Sequence, residues 1–322
     1  MKATQGTTYR MLGSRLNDVA LELENLRKIA ASGIKLSNPS DDPAAIRPLL
    51  NTRKQISNVE RYLDTMGQAQ DTMQSTDSYL AEVEGIMQRA QEIIVTAAND
   101  TYSEEDRAVM ADEIVQLQHQ LLDAANGNID GKYLFAGYRE DSKPFVENPA
   151  YDPALYDPTD HTTWPVLYNG DENATSLEIS PNERLQVTLT GNDLFLGTTS
   201  WDPAGTNSIE AGRYDLFAEL KQAEEAIRNG DQAAMQTSLD DLQGAAQQNR
   251  RLRSQLGNRT DRVADAIIAQ ESVAVDLQEV LSRYQDADAI ESFNAVVQQE
   301  TAFQAALSVT GQVSRLSILD YI

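Results

Sequence analysis

The sequence predicts a mainly α chain with a β-rich insert: a long antiparallel helical bundle or coiled-coil rod made from both chain ends, with a small antiparallel β domain in the middle. Three observations predict it. Apolar residues recur at alternating three- and four-residue steps at both ends of the 322-residue chain, and the same step fills most of the interior. Seven of the ten prolines (Pro144, Pro149, Pro153, Pro158, Pro165, Pro181, Pro203) and both tryptophans (Trp164, Trp201) cluster at 144–203. The predicted domains are terminal coiled-coil tails at 1–38 and 286–322, a discontinuous helical rod at 39–137 and 206–285, and a β-rich insert at 138–205.

In the first tail, Tyr9, Leu12, Leu16, Val19, Leu23, Leu26 and Ala30 form the seam of a left-handed coiled coil. In the last, Ala289, Phe293, Val296, Phe303, Leu307 and Thr310 keep the step, interrupted once by Glu300. A single amphipathic helix is marginal in water until its apolar face is covered, so each tail requires a partner. Charge favours pairing the tails with each other. Lys2, Arg10, Arg15, Arg27, Lys28 and Lys35 outweigh Asp18, Glu22 and Glu24 in the first tail. In the last, Asp286, Asp288, Glu291, Glu300 and Asp320 stand against Arg315. Exposed ion pairs contribute only about 0 to 1 kcal/mol each, so the apolar stripes are the stronger warrant. The predicted assembly residues are Tyr9, Leu12, Leu16, Val19, Leu23, Leu26, Phe293, Val296, Phe303, Leu307 and Leu319, expected to stay uncovered until subunits meet.

Between the tails, Ser40-Asp41-Asp42-Pro43 is a helix start with cap-type side chains and proline in the first turn. One long helix is predicted from about 43 to 98, carried by Val59, Tyr62, Met66, Met73, Leu80, Val83, Met87 and Ile94, with a kink or restart at Pro48. Ser103-Glu104-Glu105-Asp106 begins the next helix and Asn126-Gly127 ends it, followed by a short hairpin. In the insert, Trp164–Tyr168, Ser176–Ile179 and Leu185–Leu189 read as strands bounded by Asn-Gly, Ser-Pro-Asn and Thr-Gly-Asn turns. A helix from Tyr214 to Asn229 stops at Gly230, and a very long one follows from about Gln232 to Tyr284.

The formal charge of -24 repels phosphate backbones, and no Lys/Arg cluster is interleaved with aromatics, so no nucleic-acid partner is predicted. No apolar run approaches the roughly 20 residues of a spanning helix, and the beginning has no continuous apolar core of a cleavable signal. No membrane insertion is expected. The chain has no cysteine, which excludes disulfides and thiol chemistry. His119 stands four residues before Asp123, but with no third ligand it reads as a solvated polar face. Asp152, Asp157 and Asp160 near His161 are calcium-type donors, but they are not read as a metal site. There is no nucleophile elbow, phosphate-binding glycine loop or zinc-protease motif. No catalytic residue, cofactor or metal is predicted.

The run Ser32 to Ala45, the segment Gly131-Lys132-Tyr133-Leu134-Phe135-Ala136-Gly137, Leu256-Gly257-Asn258-Arg259, Asp286-Ala287-Asp288 and the ending Ser317 to Ile322 together resemble the flagellin superfamily. Within it they are more similar to the hook-filament junction proteins than to filament flagellin. The motif residues that carry the resemblance are Ser40, Asp41, Asp42, Pro43, Gly131, Tyr133, Phe135 and Gly137. The resemblance implies a secreted structural subunit of the bacterial flagellum, exported unfolded and assembled through its terminal helices at the junction. It implies as partners neighbouring copies of itself, another hook-associated protein on the hook side, flagellin on the filament side, and an export chaperone on the C-terminal tail. Filament flagellin itself and a cytoplasmic coiled-coil scaffold are the alternatives.

Overall fold

The computed structural model describes residues 2–38, 41–99 and 102–319, with side chains described at residue 7 and, within those ranges, from 10 to 312. Ser40 and the ending from Asp320 fall outside the described residues. So do the side chains of Tyr9 and Leu319. The chain forms two compact units, one of Met1–Glu60 with Ser272–Ile322 and one of Arg61–Glu271.

The second unit is built on α2 (Pro43–Ala97), α3 (Glu104–Ala125), α5 (Leu216–Asn229) and α6 (Gln232–Gln285), of which α2 and α6 continue into the first unit. On α2, Met66, Met73, Leu80, Val83, Met87 and Ala90 are fully buried at helical spacing. They join Ile114 and Leu121 of α3, Leu216, Leu220 and Ile227 of α5, and Leu242, Leu256 and Val263 of α6 in one core. Each of these Met, Leu, Ile and Val side chains contributes roughly 1.5 to 3 kcal/mol against the entropy of ordering it. Polar ties fix the antiparallel register of α2 against α6. The Asn249 amide donates to the Leu80 carbonyl at 2.9 Å, Gln91 donates to the Leu242 carbonyl at 3.1 Å, and Arg253 grips Asp77 through two bonds of 2.6 and 3.1 Å.

Helix ends follow the side chains that satisfy free backbone groups. Ser103 and Asp106 form a reciprocal capping box at the start of α3. Asp215 caps α5, which ends on Gly230 in the left-handed region. α2 is continuous through Pro48 rather than restarted there. So early in the helix the ring removes one backbone donor and leaves the following turns intact.

After α3 the chain forms a hairpin, β1 (Asn128–Ile129) with β2 (Lys132–Tyr133), whose turn residues Asp130 and Gly131 both have positive φ. Two more antiparallel pairs follow: β3 (Phe145–Glu147) with β4 (Val166–Tyr168), and β5 (Ser176–Ser180) with β6 (Glu183–Gln186). The insert therefore holds separate two-stranded pairs instead of one sheet. Pro144, Pro149 and Pro165 flank β3 and β4 and lack the amide donor that a longer ladder needs. Aromatic packing takes over. Phe135, Phe145 and Phe195 are fully buried, with Phe145 at 4.9 Å from Tyr168, 5.2 Å from Phe195 and 5.5 Å from Phe217 between ring centres. The short α4 (Gly191–Phe195) carries Phe195 into this cluster.

The first unit joins α1 (Lys2–Ser32), α7 (Ala289–Leu319), the start of α2 and the end of α6.

Candidate assembly surface

α1 and α7 run antiparallel, and the linkers that end them lie side by side. α1 stops at Gly33, whose positive φ turns the chain out of the helix. Ile34 then bridges Asp286 in antiparallel fashion. The Lys35 amide donates to the Gln285 carbonyl and the Ala287 amide to the Gly33 carbonyl, each at 2.8 Å. Arg53 adds a bond to the Gln285 side chain at 2.7 Å, and the Lys35 ammonium caps the α6 end by donating to the Arg283 carbonyl at 3.0 Å. Asp288 starts α7, accepting from the amides of Ile290 and Glu291 at 2.8 and 3.0 Å.

The acidic motif before α2 has a local task. Asp41 accepts from the amides of Asn38 and Ser37 at 2.7 and 3.1 Å, and the Asn38 amide above all holds its carboxyl below the usual carboxylate range. Asp42 caps α2 by accepting from Ala44 and Ala45, with Pro43 as the first helical residue. An open groove of about 630 Å³ beside this start is lined by Leu36, Ala45, Pro48 and Tyr284.

Along the α1–α7 pair the seam is uneven. Leu23 is buried at 5% exposure, and Leu12, Leu16, Val19 and Leu26 are half-buried. On α7, Val296 and Phe303 are half-buried, whereas Phe293 stays 60% and Leu307 46% exposed. Gln299 donates to the Val19 carbonyl at 3.3 Å, and Arg27 pairs with Glu300, the polar break in the stripe. The pairing is intramolecular, which corrects the expectation that both tails are uncovered in a single subunit. Two one-stripe helices joined by adjacent linkers cover each other's seam first. What remains outside is a flank of Ile290, Phe293 and Val297 on α7, with Met11 and Leu21 exposed on α1. Sequence reasoning missed Ile290 and Val297 because they lie beside the three-four seam rather than on it.

The other motif residues do not lie on this surface. Gly131 closes the β1–β2 turn, the Tyr133 amide donates to the Glu140 carbonyl at 2.8 Å, and Phe135 enters the aromatic core. The Phe135 carbonyl accepts from Gly191 at 3.0 Å and from the Tyr168 hydroxyl at 2.9 Å. Gly137, at φ 70°, allows the Asp171 carboxylate to receive the Tyr138 amide at 3.1 Å. These residues anchor the hairpin to the second unit.

Asp157 and Asp160, weighed as calcium donors, accept from the side chains and amides of Thr159 and Thr162, which hold both carboxyls low. Asp152 accepts from the Ala154 amide. His119 faces Glu147 at 3.9 Å on the surface. Among the described residues no three His, Cys, Asp or Glu side chains gather as metal ligands, and no helix is long and apolar enough to cross a membrane.

Residues 7–140 match the family model of the bacterial flagellin N-terminal helical region. Flagellar hook-associated protein 3 of Escherichia coli (strain K12) is 27% identical over 305 residues, 89% of each chain. The protein of the same name from Salmonella typhimurium is 25% identical over 335 residues, 99% of this chain and 98% of its own. The structure of a putative flagellar hook-associated protein from Vibrio parahaemolyticus superposes with a TM-score of 0.63 at 16% identity, covering 76% of this chain and all of that one. With its two end helices paired and an insert between its long central helices, the chain carries a match to the bacterial flagellin N-terminal helical region over residues 7–140 and is similar along nearly its whole length to flagellar hook-associated protein 3.

Proposed function

We propose that this chain is a structural axial subunit of the bacterial flagellum, acting as the adaptor between hook and filament. One observation carries the reading: similarity to hook-associated protein 3 extends over 99% of the chain, both terminal helices included. The antiparallel α1–α7 pair with an uncovered apolar flank supports a subunit that completes its burial against other subunits. Heterologous contacts of this kind propagate along an axis and suit a layer between unlike neighbours. The partners in this reading are copies of the chain itself, another hook-associated protein on one side and flagellin on the other. Export as an unfolded chain, with a chaperone masking the C-terminal tail, completes the reading.

Removing the gene tests the proposal. Cells lacking the protein should build intact hooks and shed flagellin into the medium, and the protein should be found outside wild-type cells only when flagellar export works. Attached filaments in the deletion strain would overturn the junction role, and export-independent retention in the cytoplasm would favour a scaffold.

A further inference from the structure

Among the described residues, the second unit buries two carboxyls that form no ion pair with a cation. Asp215, fully buried, uses one oxygen to cap α5, accepting from Phe217 and Ala218 at 2.9 and 3.3 Å. Its other oxygen has no hydrogen-bond partner, and neither has Oε2 of Glu219, one turn further on and 8% exposed. Asp215 at the N-cap of α5 and Glu219 in its first turn are near enough for their charges to repel each other. The groups that act on them from neighbouring elements are Asp241 of α6 and, from the insert, Tyr151 and Tyr156. Further along α5, Glu224 is bound by Lys221, Arg228 and Gln118, so those donors are engaged elsewhere. Among the described residues Asp241 does not gather with this pair as a third metal ligand, so the two carboxyls suit a proton rather than a metal ion.

We propose that Asp215 and Glu219 form a proton-linked latch on the first turns of α5, so that the second unit takes up protons as it folds and loosens when the pair ionises. An ionised pair at this site would hold two like charges with bare oxygens in a dry core, a cost that neither carboxyl can relieve by pairing. Protonation removes the repulsion and supplies a donor for an orphaned oxygen. Burial pushes Asp215 up to about 7 and, with Asp241 and Asp215 adding repulsion, Glu219 up to about 8. Both groups are acids with folded values raised above the roughly 4 of an unfolded chain. Stability is therefore highest in mild acid and falls as pH rises between about 4 and 8, where the folded chain binds the extra protons. The inference rests on the fold of the second unit and is independent of the flagellar reading.

Urea denaturation of the full chain, followed by near-UV circular dichroism from pH 5.5 to 9, tests it. Around pH 6 the unfolding constant should rise about tenfold per pH unit for each proton released, so up to about a hundredfold for the pair. Glu219→Gln should cut that dependence to about one proton, and the double variant with Asp215→Asn, which keeps a capping acceptor, should remove it. Both variants retain His119 and His161, so any histidine contribution stays in the background. A wild-type stability that is flat from pH 6 to 9, or a slope unchanged in Glu219→Gln, would overturn the latch.

Discussion

Ile34 and Asp286 face each other across an antiparallel bridge that ties the linker after α1 to the linker before α7. The bridge depends on the turn at Gly33, whose φ of 70° is a conformation that side chains with branched β-carbons resist by about 1 to 2 kcal/mol. Gly33→Val should therefore weaken the first unit and speed hydrogen exchange at the Ala287 amide, which donates to the Gly33 carbonyl. Unchanged protection at Ala287 would show that the linkers hold without this turn.

Asp42 should matter through its cap. Asp42→Ala removes the acceptor for Ala44 and Ala45 and should cost about 1 kcal/mol in urea denaturation, while Asp42→Asn should be nearly neutral. Equal losses in both would assign the effect to charge instead.

Phe135→Ala empties a fully buried site between Tyr79 and Phe195. The expected loss is about 3 to 5 kcal/mol, read as a lower urea midpoint of the second unit. A loss below about 1 kcal/mol would mean the aromatic cluster collapses around the gap.

Phe293→Asp and Leu307→Asp place charge on exposed positions of α7, so the isolated chain should keep its helicity while cells lose attached filaments. Leu23→Asp, in the buried seam, should disrupt the α1–α7 pair itself. Full motility with both α7 variants would remove this flank from the assembly surface.

Hydrogen bonds from the Ser103 hydroxyl and amide, at 2.7 and 3.2 Å, hold the Asp106 carboxyl below its ordinary range. A carboxyl held low in the folded state stabilises above its unfolded pKa, and that contribution is lost as pH falls through the folded value. In Ser103→Ala the Asp106 titration, followed by NMR, should move up toward the free value of about 3.9. An unmoved midpoint would mean that the capping box does not hold the charge.

Local and periodic signals were legible in the sequence. The three-four steps predicted the long helices, Ser103 and Asp106 predicted the start of α3, and Gly230 predicted the end of α5. The charge asymmetry of the tails matches the Arg27–Glu300 pair. Contacts between distant residues left no trace in a single sequence: neither Ile34 nor Asp286 carries a pairing signal, and Arg53 is an ordinary helical arginine until it meets Gln285. The strands were legible as β-formers, but their division into separate pairs depends on which amides the prolines remove. Phe135 was identified by resemblance, and only the packing explains it as an anchor of the hairpin. The flank of Ile290 and Val297 was hidden because a seam pattern describes the covered side of a helix and is silent about its neighbour.

Trp164 and Trp201 lie 6.4 Å apart between ring centres, with His161 edge-on to both. All three belong to the second unit, and the chain has no other tryptophan. Intrinsic indole emission from this molecule is thus an instrument tuned to its middle: α1 could part from α7 with the signal unmoved, and watching the ends requires a reporter introduced there.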